Sequence, residues 1–385
     1  MKIGLTTFGA DGGKSGISRY LMCLMKEFVS YQNEHDFLVH LYYSEQEIFL
    51  PKGHRFQVVL HNKSIQPPVR NIWWHQWSLG RWCKKEGIDV MFLPAANRRA
   101  SLSLPCPSVG TVHDFSSLHV KGKYDASRHF YITKVLPLFC RRLTHILTVS
   151  ESSKRDIVQV SHVPENRVTV TPLAADPLTM NPQTVPGEND RLKERYGIQE
   201  PFVLYTSRLE HPGKNHVRLV EAFESLANDH SIPHQLVFAG SDWSGSEAIH
   251  QRIQQSAVKN RIRCTGFVES ADLPALYRCC SAFVFPSLYE GFGLPILEAM
   301  GCGAPVACSN VSSMPEVAGD AAVLFAPEDS TSIRSALEVL LLDEAKAQDY
   351  RQRGIARAAE FSWQRTAAST LSVLAQTAKI GRTSA

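Results

Sequence analysis

The sequence predicts an α/β protein with parallel sheets, divided into two domains. Three observations carry this expectation. Short apolar runs alternate with helical patterns, the alternation is interrupted once by a proline-rich stretch, and the chain has 385 residues. Strands separated by crossover helices form parallel sheets. A chain of this length exceeds one ordinary core and suits two.

In the first half the apolar runs place strands at 3–7, 37–43, 57–60, 90–93, 108–112 and 145–149. The second half repeats the pattern at 202–205, 235–239, 262–265, 282–285, 305–307 and 322–325. Between them, residues 172–201 hold five prolines and the polar run Gly187-Glu-Asn-Asp190, which reads as a linker. The domains are therefore expected at 1–185 and 195–362, with helices at 329–342, 345–360 and 363–380. The opening Met-Lys-Ile-Gly-Leu-Thr-Thr-Phe reads as a first strand and is too soon interrupted for a signal peptide.

A hydrophobic content of 44% with 20% charged residues describes a soluble globular chain rather than a disordered one. No apolar run reaches the roughly 18 residues of a membrane-spanning helix. Nine cysteines include no Cys-x-x-Cys pair and cannot all close into disulfides, which points to reduced thiols in a cytoplasmic protein. Residues 1–190 carry 22 Lys and Arg against 16 Asp and Glu, a net of +6, whereas the remainder carries 19 against 21. A basic first half suits an anionic partner, either a membrane surface or a phosphate-bearing acceptor. Neither a basic stripe nor a nucleic-acid module is present, so nucleic acid is not an expected partner.

The stretch Ser287-Leu-Tyr-Glu290-Gly-Phe-Gly-Leu-Pro-Ile-Leu-Glu298-Ala-Met-Gly301-Cys-Gly303 is the most informative. The strand expected at 282–285 ends at Pro286, glycines 291 and 293 make a loop, and Pro295 suits a first helical turn. Glu290 then sits in the loop and Glu298 about one turn into the helix. The amides of Phe292, Gly293 and Leu294 lie at a positive helix end, where anions and polarised hydroxyls bind. Two carboxylates alone would also fit a capping residue and a solvated face.

Thr206-Ser-Arg208-Leu-Glu-His-Pro-Gly-Lys214-Asn-His follows the strand at 202–205. Arg208 and Lys214 flank a turn with Pro212 and Gly213, and a helix is expected from about residue 215. A guanidinium fork and an ammonium at that place could grip a diphosphate. The chain has no Asp-x-Asp and no His/Cys cluster with zinc spacing, so neither a metal nor a resident cofactor is expected.

In the first half, Gly9-Ala-Asp-Gly12-Gly13-Lys-Ser-Gly16-Ile-Ser-Arg19-Tyr20 opens a helix with a glycine-rich loop. Such a loop lets a ligand approach backbone amides, though a plain surface turn fits too. It is neither the dinucleotide fingerprint nor a P-loop. His113-Asp114 follows the strand at 108–112, and Ser150-Glu-Ser-Ser153 reads as a helix cap. Segment 67–85 holds Trp73, Trp74, Trp77 and Trp82, four of the six tryptophans, with Arg81, Lys84 and Lys85. On a helix Trp73, Trp74 and Trp77 are expected on one side, near the cations. Such a helix suits either a membrane interface or the inside of the first domain.

The frame Glu-Gly-Phe-Gly-Leu-Pro, then Leu-Glu-Ala-Met-x-x-Gly, closely resembles the paired-glutamate motif of retaining glycosyltransferases of family 4. The resemblance implies the GT-B fold, two Rossmann-like domains facing each other across a cleft, with the helix at 363–380 returned onto the first domain. It implies that Glu298 binds the ribose of a nucleotide, while Glu290 and the amides of Phe292, Gly293 and Leu294 hold donor-sugar hydroxyls. Arg208 and Lys214 match the family's diphosphate pair. Gly16 and its loop are similar to the part facing donor phosphate and acceptor, and His113 to a histidine reaching the donor sugar. Backbone near Ser241 and Val268 would meet the base. With no Asp-x-Asp of the GT-A kind, the two cations would replace a metal.

The same stretch, with Ser313-Met-Pro-Glu316-Val-Ala-Gly-Asp320, looks most like bacterial mannosyltransferases of surface polysaccharides such as O-antigen. The expected reaction moves mannose from GDP-mannose to a lipid-linked or oligosaccharide acceptor. The protein would then be cytoplasmic and peripheral on the inner face of the cell membrane. A UDP-sugar-dependent transferase, a GT-B epimerase and a non-catalytic sugar-nucleotide sensor are the competing expectations.

Overall fold

The computed structural model describes residues 1–13, 15–120, 122 and 126–383. The chain divides into two compact units. Unit 1 comprises Met1–Phe115, Ala126–Leu173 and Trp363–Ala385, and unit 2 comprises Ser116–Asp125 and Ala174–Ser362.

Unit 1 is built on a parallel sheet of β1 (Lys2–Thr6), β2 (Asp36–Tyr42), β3 (Gln57–His61), β4 (Val90–Leu93), β5 (Ser108–Thr111), β6 (His145–Thr148) and β7 (Val168–Val170). Their order is β3-β2-β1-β4-β5-β6-β7, with Ile3 paired to Phe37 on one side and Val90 on the other. The central strand β4 is continuously apolar and all four of its residues are buried, as in a parallel sheet covered on both faces. β7 was not expected from the sequence, since three residues close to Pro164 and Pro172 are too few to show a period. The last helix, Trp363–Thr383, belongs to unit 1, where Thr366 Oγ1 donates to the Pro172 carbonyl at 2.5 Å.

Unit 2 holds β8 (Phe202–Thr206), β9 (Gln235–Ala239), β10 (Ile262–Gly266), β11 (Ala282–Phe285), β12 (Val306–Ser309) and β13 (Ala322–Phe325), again all parallel. The order β10-β9-β8-β11-β12-β13 reverses direction between β8 and β11. In open α/β sheets ligands bind at the strand carboxyl ends beside such a switch point.

The stretch read as a linker is partly helical, and it lies within the longer segment of unit 2, Ala174–Ser362. Glu188–Tyr196 forms a helix between Gly187 and Gly197, both at positive φ. Leu192 and Tyr196, four apart, are its buried apolar residues, and Arg278 pairs with buried Glu188 and donates to the Asn181 carbonyl at 3.1 Å. So few apolar residues among prolines and charges hid the helix.

The tryptophan segment is the helix Pro68–Glu86, and its tryptophans do not share one side. Trp73 and Trp77 are exposed (59% and 63%) and stacked on each other at 6.3 Å. Trp74 turns to the opposite face, with its ring 5.2 Å from Phe8 and 5.0 Å from His40. The 100° step per residue explains this: Trp73 and Trp77 lie in one row, whereas Trp74 sits beside buried Asn71 and His75.

Candidate active site

In unit 2 the loop after β8 and the loop after β11 are bound together at the switch point. Asn215, in a left-handed conformation before helix His216–Asp229, donates through Nδ2 to the Pro286 carbonyl at 3.0 Å and to Pro327 at 2.7 Å. The Leu288 amide donates to the Gly213 carbonyl at 3.0 Å. These bonds bring the ends of two distant segments to one place.

That place holds Lys214 and Glu290. Lys214 Nζ lies 2.5 Å from Glu290 Oε1, with side chains only 16% and 17% exposed. Burial works against the Lys214 ammonium, but Glu290 and Tyr205 outweigh it and hold its pKa above the ordinary lysine value. The backbone of Glu290 is fixed as well. Its amide donates to Ser312 Oγ at 3.1 Å, and Ser313 Oγ lies 2.9 Å from the Glu290 carbonyl and 2.8 Å from that of Phe292.

Gly293 (φ 97°) turns the chain into helix Leu294–Gly301, whose first turn carries Pro295. The backbone requires glycine there, because a side chain is strained at that φ and a Cβ would stand 3.2 Å from Ile296 Cδ1. Glu298, one turn in, is buried and accepts from the Tyr277 hydroxyl at 3.0 Å; that hydroxyl also meets Thr206 Oγ1 at 2.9 Å. Arg208 is half exposed, pairs with Glu210 Oε2 at 3.1 Å, and lies under the Trp243 indole at 4.5 Å.

Ser241 and Val268 sit on adjacent loops after β9 and β10. The Ser241 carbonyl accepts from the Leu209 amide at 3.0 Å, and a bridge joins Gly240 to Gly266. Val268 is buried beside a strongly exposed Phe267. Arg208, Lys214, Ser241, Val268, Glu290, Phe292, Gly293, Leu294 and Glu298 thus all belong to unit 2. Sequence reasoning gave no role to Asn215, Glu210, Trp243, Tyr277, Ser312 or Ser313. Glu210, Asn215 and Ser313 lay in quoted motifs and Trp243, Tyr277 and Ser312 in none, because contacts across the sheet leave no local pattern.

Gly16 and His113 belong to unit 1. Gly16 is the first residue of helix Gly16–Phe28, capped by Ser15. His113 is buried; its Nε2 lies 3.1 Å from the Pro94 carbonyl and its ring meets Tyr20 edge-on at 4.9 Å. Burial lowers its pKa to about 4, against opposing pulls from Pro94 and Asp114. The neutral ring must carry its proton on Nε2 to reach a carbonyl, which leaves Nδ1 an acceptor. Among the described residues no group of three or more His, Cys, Asp or Glu could hold a metal ion.

Chemically, unit 2 offers a buried cation beside a carboxylate, a half-exposed guanidinium, helix-end amides and a second, buried carboxylate. This set can hold a polyhydroxylated ligand and neutralise a departing anion.

Comparison with known proteins gives the same direction. Residues 188–357 match the family described as glycosyl transferases group 1, and residues 14–177 that described as glycosyltransferase family 4. The chain is 34% identical to O-antigen chain mannosyltransferase B of Escherichia coli over 265 residues, 69% of each protein. It is 31% identical to the serotype-specific mannosyltransferase WbdA of Escherichia coli over 281 residues, 69% of this chain but 33% of WbdA. Its fold is similar to that of Anabaena HepE, solved in complex with UDP and glucose, with a TM-score of 0.73 at 19% identity, covering 98% of this chain and 100% of that one.

Proposed function

The chain belongs to the glycosyltransferases of family 4, and from that premise we propose that it transfers mannose from GDP-mannose, with retention of configuration, to a lipid-linked or oligosaccharide acceptor in polysaccharide assembly. The observation that carries this reading is the Lys214–Glu290 pair, set with Arg208 and Glu298 at the switch point of unit 2. The mannosyl donor is supported by the relatives at 34% and 31% identity.

Glu298 would hold the ribose hydroxyls, its carboxylate braced by Tyr277. Glu290 and the amides of Phe292, Gly293 and Leu294 would hold sugar hydroxyls. Arg208 and Lys214 would stabilise the diphosphate as negative charge grows on it, without a metal. A donor phosphate oxygen would take the acceptor proton on the face the nucleotide leaves. His113, neutral and bonded to Pro94, would reach the donor sugar only as an acceptor through Nδ1.

Membrane attachment is part of the proposal. No helix among the described residues is long and apolar enough to cross a membrane. Exposed Ile72, Trp73 and Trp77, with exposed Arg81, Lys84 and Lys85 on the same helix, suit the inner face of the cell membrane.

A thermal-shift panel of GDP, UDP, ADP and their sugars tests the donor. The expected result is stabilisation by GDP and GDP-mannose above the others, followed by acceptor-dependent release of GDP and an α-linked product by NMR. Stabilisation by UDP alone would reassign the donor, and turnover of the sugar nucleotide without acceptor would indicate an epimerase.

A further inference from the structure

The exposed Trp243 lies outside every motif described above, yet the fold holds it in one place. It sits on the loop after β9, which is zipped to the loop after β8. The Leu209 amide donates to the Ser241 carbonyl at 3.0 Å, the Trp243 amide to the Leu209 carbonyl at 3.1 Å, and the His211 amide to the Ser244 carbonyl at 3.1 Å. Gly240 allows this approach, since a Cβ there would stand 1.9 Å from the Ser207 carbonyl oxygen. The loops are therefore pressed together, with Trp243 fixed beside Arg208.

The indole is 53% exposed, and the guanidinium carbon of Arg208 lies 4.5 Å from its ring centroid. Arg208 is itself half exposed and is held at one nitrogen, Nη2, by Glu210 at 3.1 Å. A single ion pair at one corner leaves the guanidinium plane free to swing about that contact. An indole against its face removes the freedom while leaving other N–H groups for an anion. An indole left half in water gains little from burial, so packing alone accounts poorly for its position.

We propose that Trp243 is a positioning residue: its indole face fixes the plane of Arg208 so that the fork meets the diphosphate of the sugar nucleotide as that group departs. The inference rests on the transferase reading above. Charge on the diphosphate grows in the transition state, so the contribution belongs to turnover more than to donor affinity.

The test is a double-mutant cycle in the full chain, with the transfer assay, the donor KM and the thermal midpoint read for each variant. Trp243→Ala is expected to lower kcat about tenfold, with donor KM within about threefold and the melting midpoint unchanged. Trp243→Phe, which keeps an aromatic face, should recover most of the loss, whereas Trp243→Leu should not. In an Arg208→Lys background, where no planar group remains to be aligned, Trp243→Ala should cost less than about twofold more. Full activity of Trp243→Ala, equal activity of the Leu and Phe variants, or an undiminished loss in the Arg208→Lys background would each overturn the proposal. A wild type that turns over no sugar nucleotide would instead remove the transferase reading, and this inference with it.

Discussion

Lys214 Nζ and Glu290 Oε1, 76 residues apart in sequence, meet at 2.5 Å and join the loop after β8 to the loop after β11. The pair ties the proposed diphosphate contact to the proposed sugar contact, so a donor that occupies both must share the two charges. Because both side chains are largely shielded, removing one partner leaves the other poorly solvated.

Arg208→Ala and Lys214→Ala are each expected to lower kcat on the order of 10²–10³-fold, the scale of losing a preorganised donor to a developing anion. Lys214→Ala should also lower stability by about 3 kcal/mol, since Glu290 is then buried unpaired. Urea unfolding and steady-state kinetics of both variants check this. Near-normal turnover in both would rule out the diphosphate assignment.

Acid should weaken unit 1 through His113. Burial holds its folded pKa at about 4, below the ordinary value of about 6.5. Between those values the unfolded chain binds more protons, so stability present above pH 6.5 is lost as pH falls toward 4. The shift corresponds to about 3 kcal/mol. His113→Asn should reduce the slope of the urea midpoint between pH 7 and 5 without abolishing it, because burial also holds His40 at about 3 and His75 at about 4; an unchanged slope contradicts the assignment.

Gly240→Ala should be among the most damaging single changes in unit 2. The added methyl would stand 1.9 Å from the Ser207 carbonyl oxygen, and the atom opposing it is backbone. Separating the two loops should cost about 3 kcal/mol, the upper range for overpacking. A melting midpoint equal to wild type would show that the approach is relaxed in solution.

Vesicles containing anionic lipid should bind the protein at low salt and release it as salt screens the attraction, over about 10 Å at 0.1 M. Replacing Arg81, Lys84 and Lys85 together with Gln should abolish flotation, each cation contributing about 1 kcal/mol. Trp73 and Trp77 are exposed, so their replacement by Ser should weaken binding without unfolding the chain. Trp74→Ser should instead destabilise unit 1, because that ring packs on Phe8 and His40. A wild type that stays in the soluble fraction at low salt removes the membrane reading.

Transfer should persist after exhaustive chelation with EDTA, with Arg208 and Lys214 supplying the positive charge. Complete loss of activity, restored by magnesium or manganese, contradicts that expectation.

The twelve strands expected from apolar runs are present within two residues at each end, and the buried ones were the plainest, because a strand buried on both faces must be apolar along its whole length. The loop after β11 was legible for a local reason: Gly293, Pro295 and the two glutamates lie within nine residues, inside the reach of turn and helix-start rules. The helix Glu188–Tyr196 was not, since its two buried apolar residues, Leu192 and Tyr196, depend on a surface supplied by the rest of unit 2. Trp74 was assigned to the wrong side because a cluster of tryptophans does not say which of them has a core to face.

By itself the sequence determined the alternating α/β architecture, the glycine-bearing loops and the residue types of the site, all set by periodicity and by local backbone allowance. Only the tertiary structure decided which side chains meet. Lys214 reaches Glu290 and Trp243 covers Arg208 because parallel strands carry their carboxyl ends to one edge of the sheet, and Tyr277 reaches Glu298 because helix Leu273–Cys279 packs against helix Leu294–Gly301. Crossover connections separate those ends in sequence by tens of residues, and hydrogen bonds and ion pairs act only over a few ångströms of space.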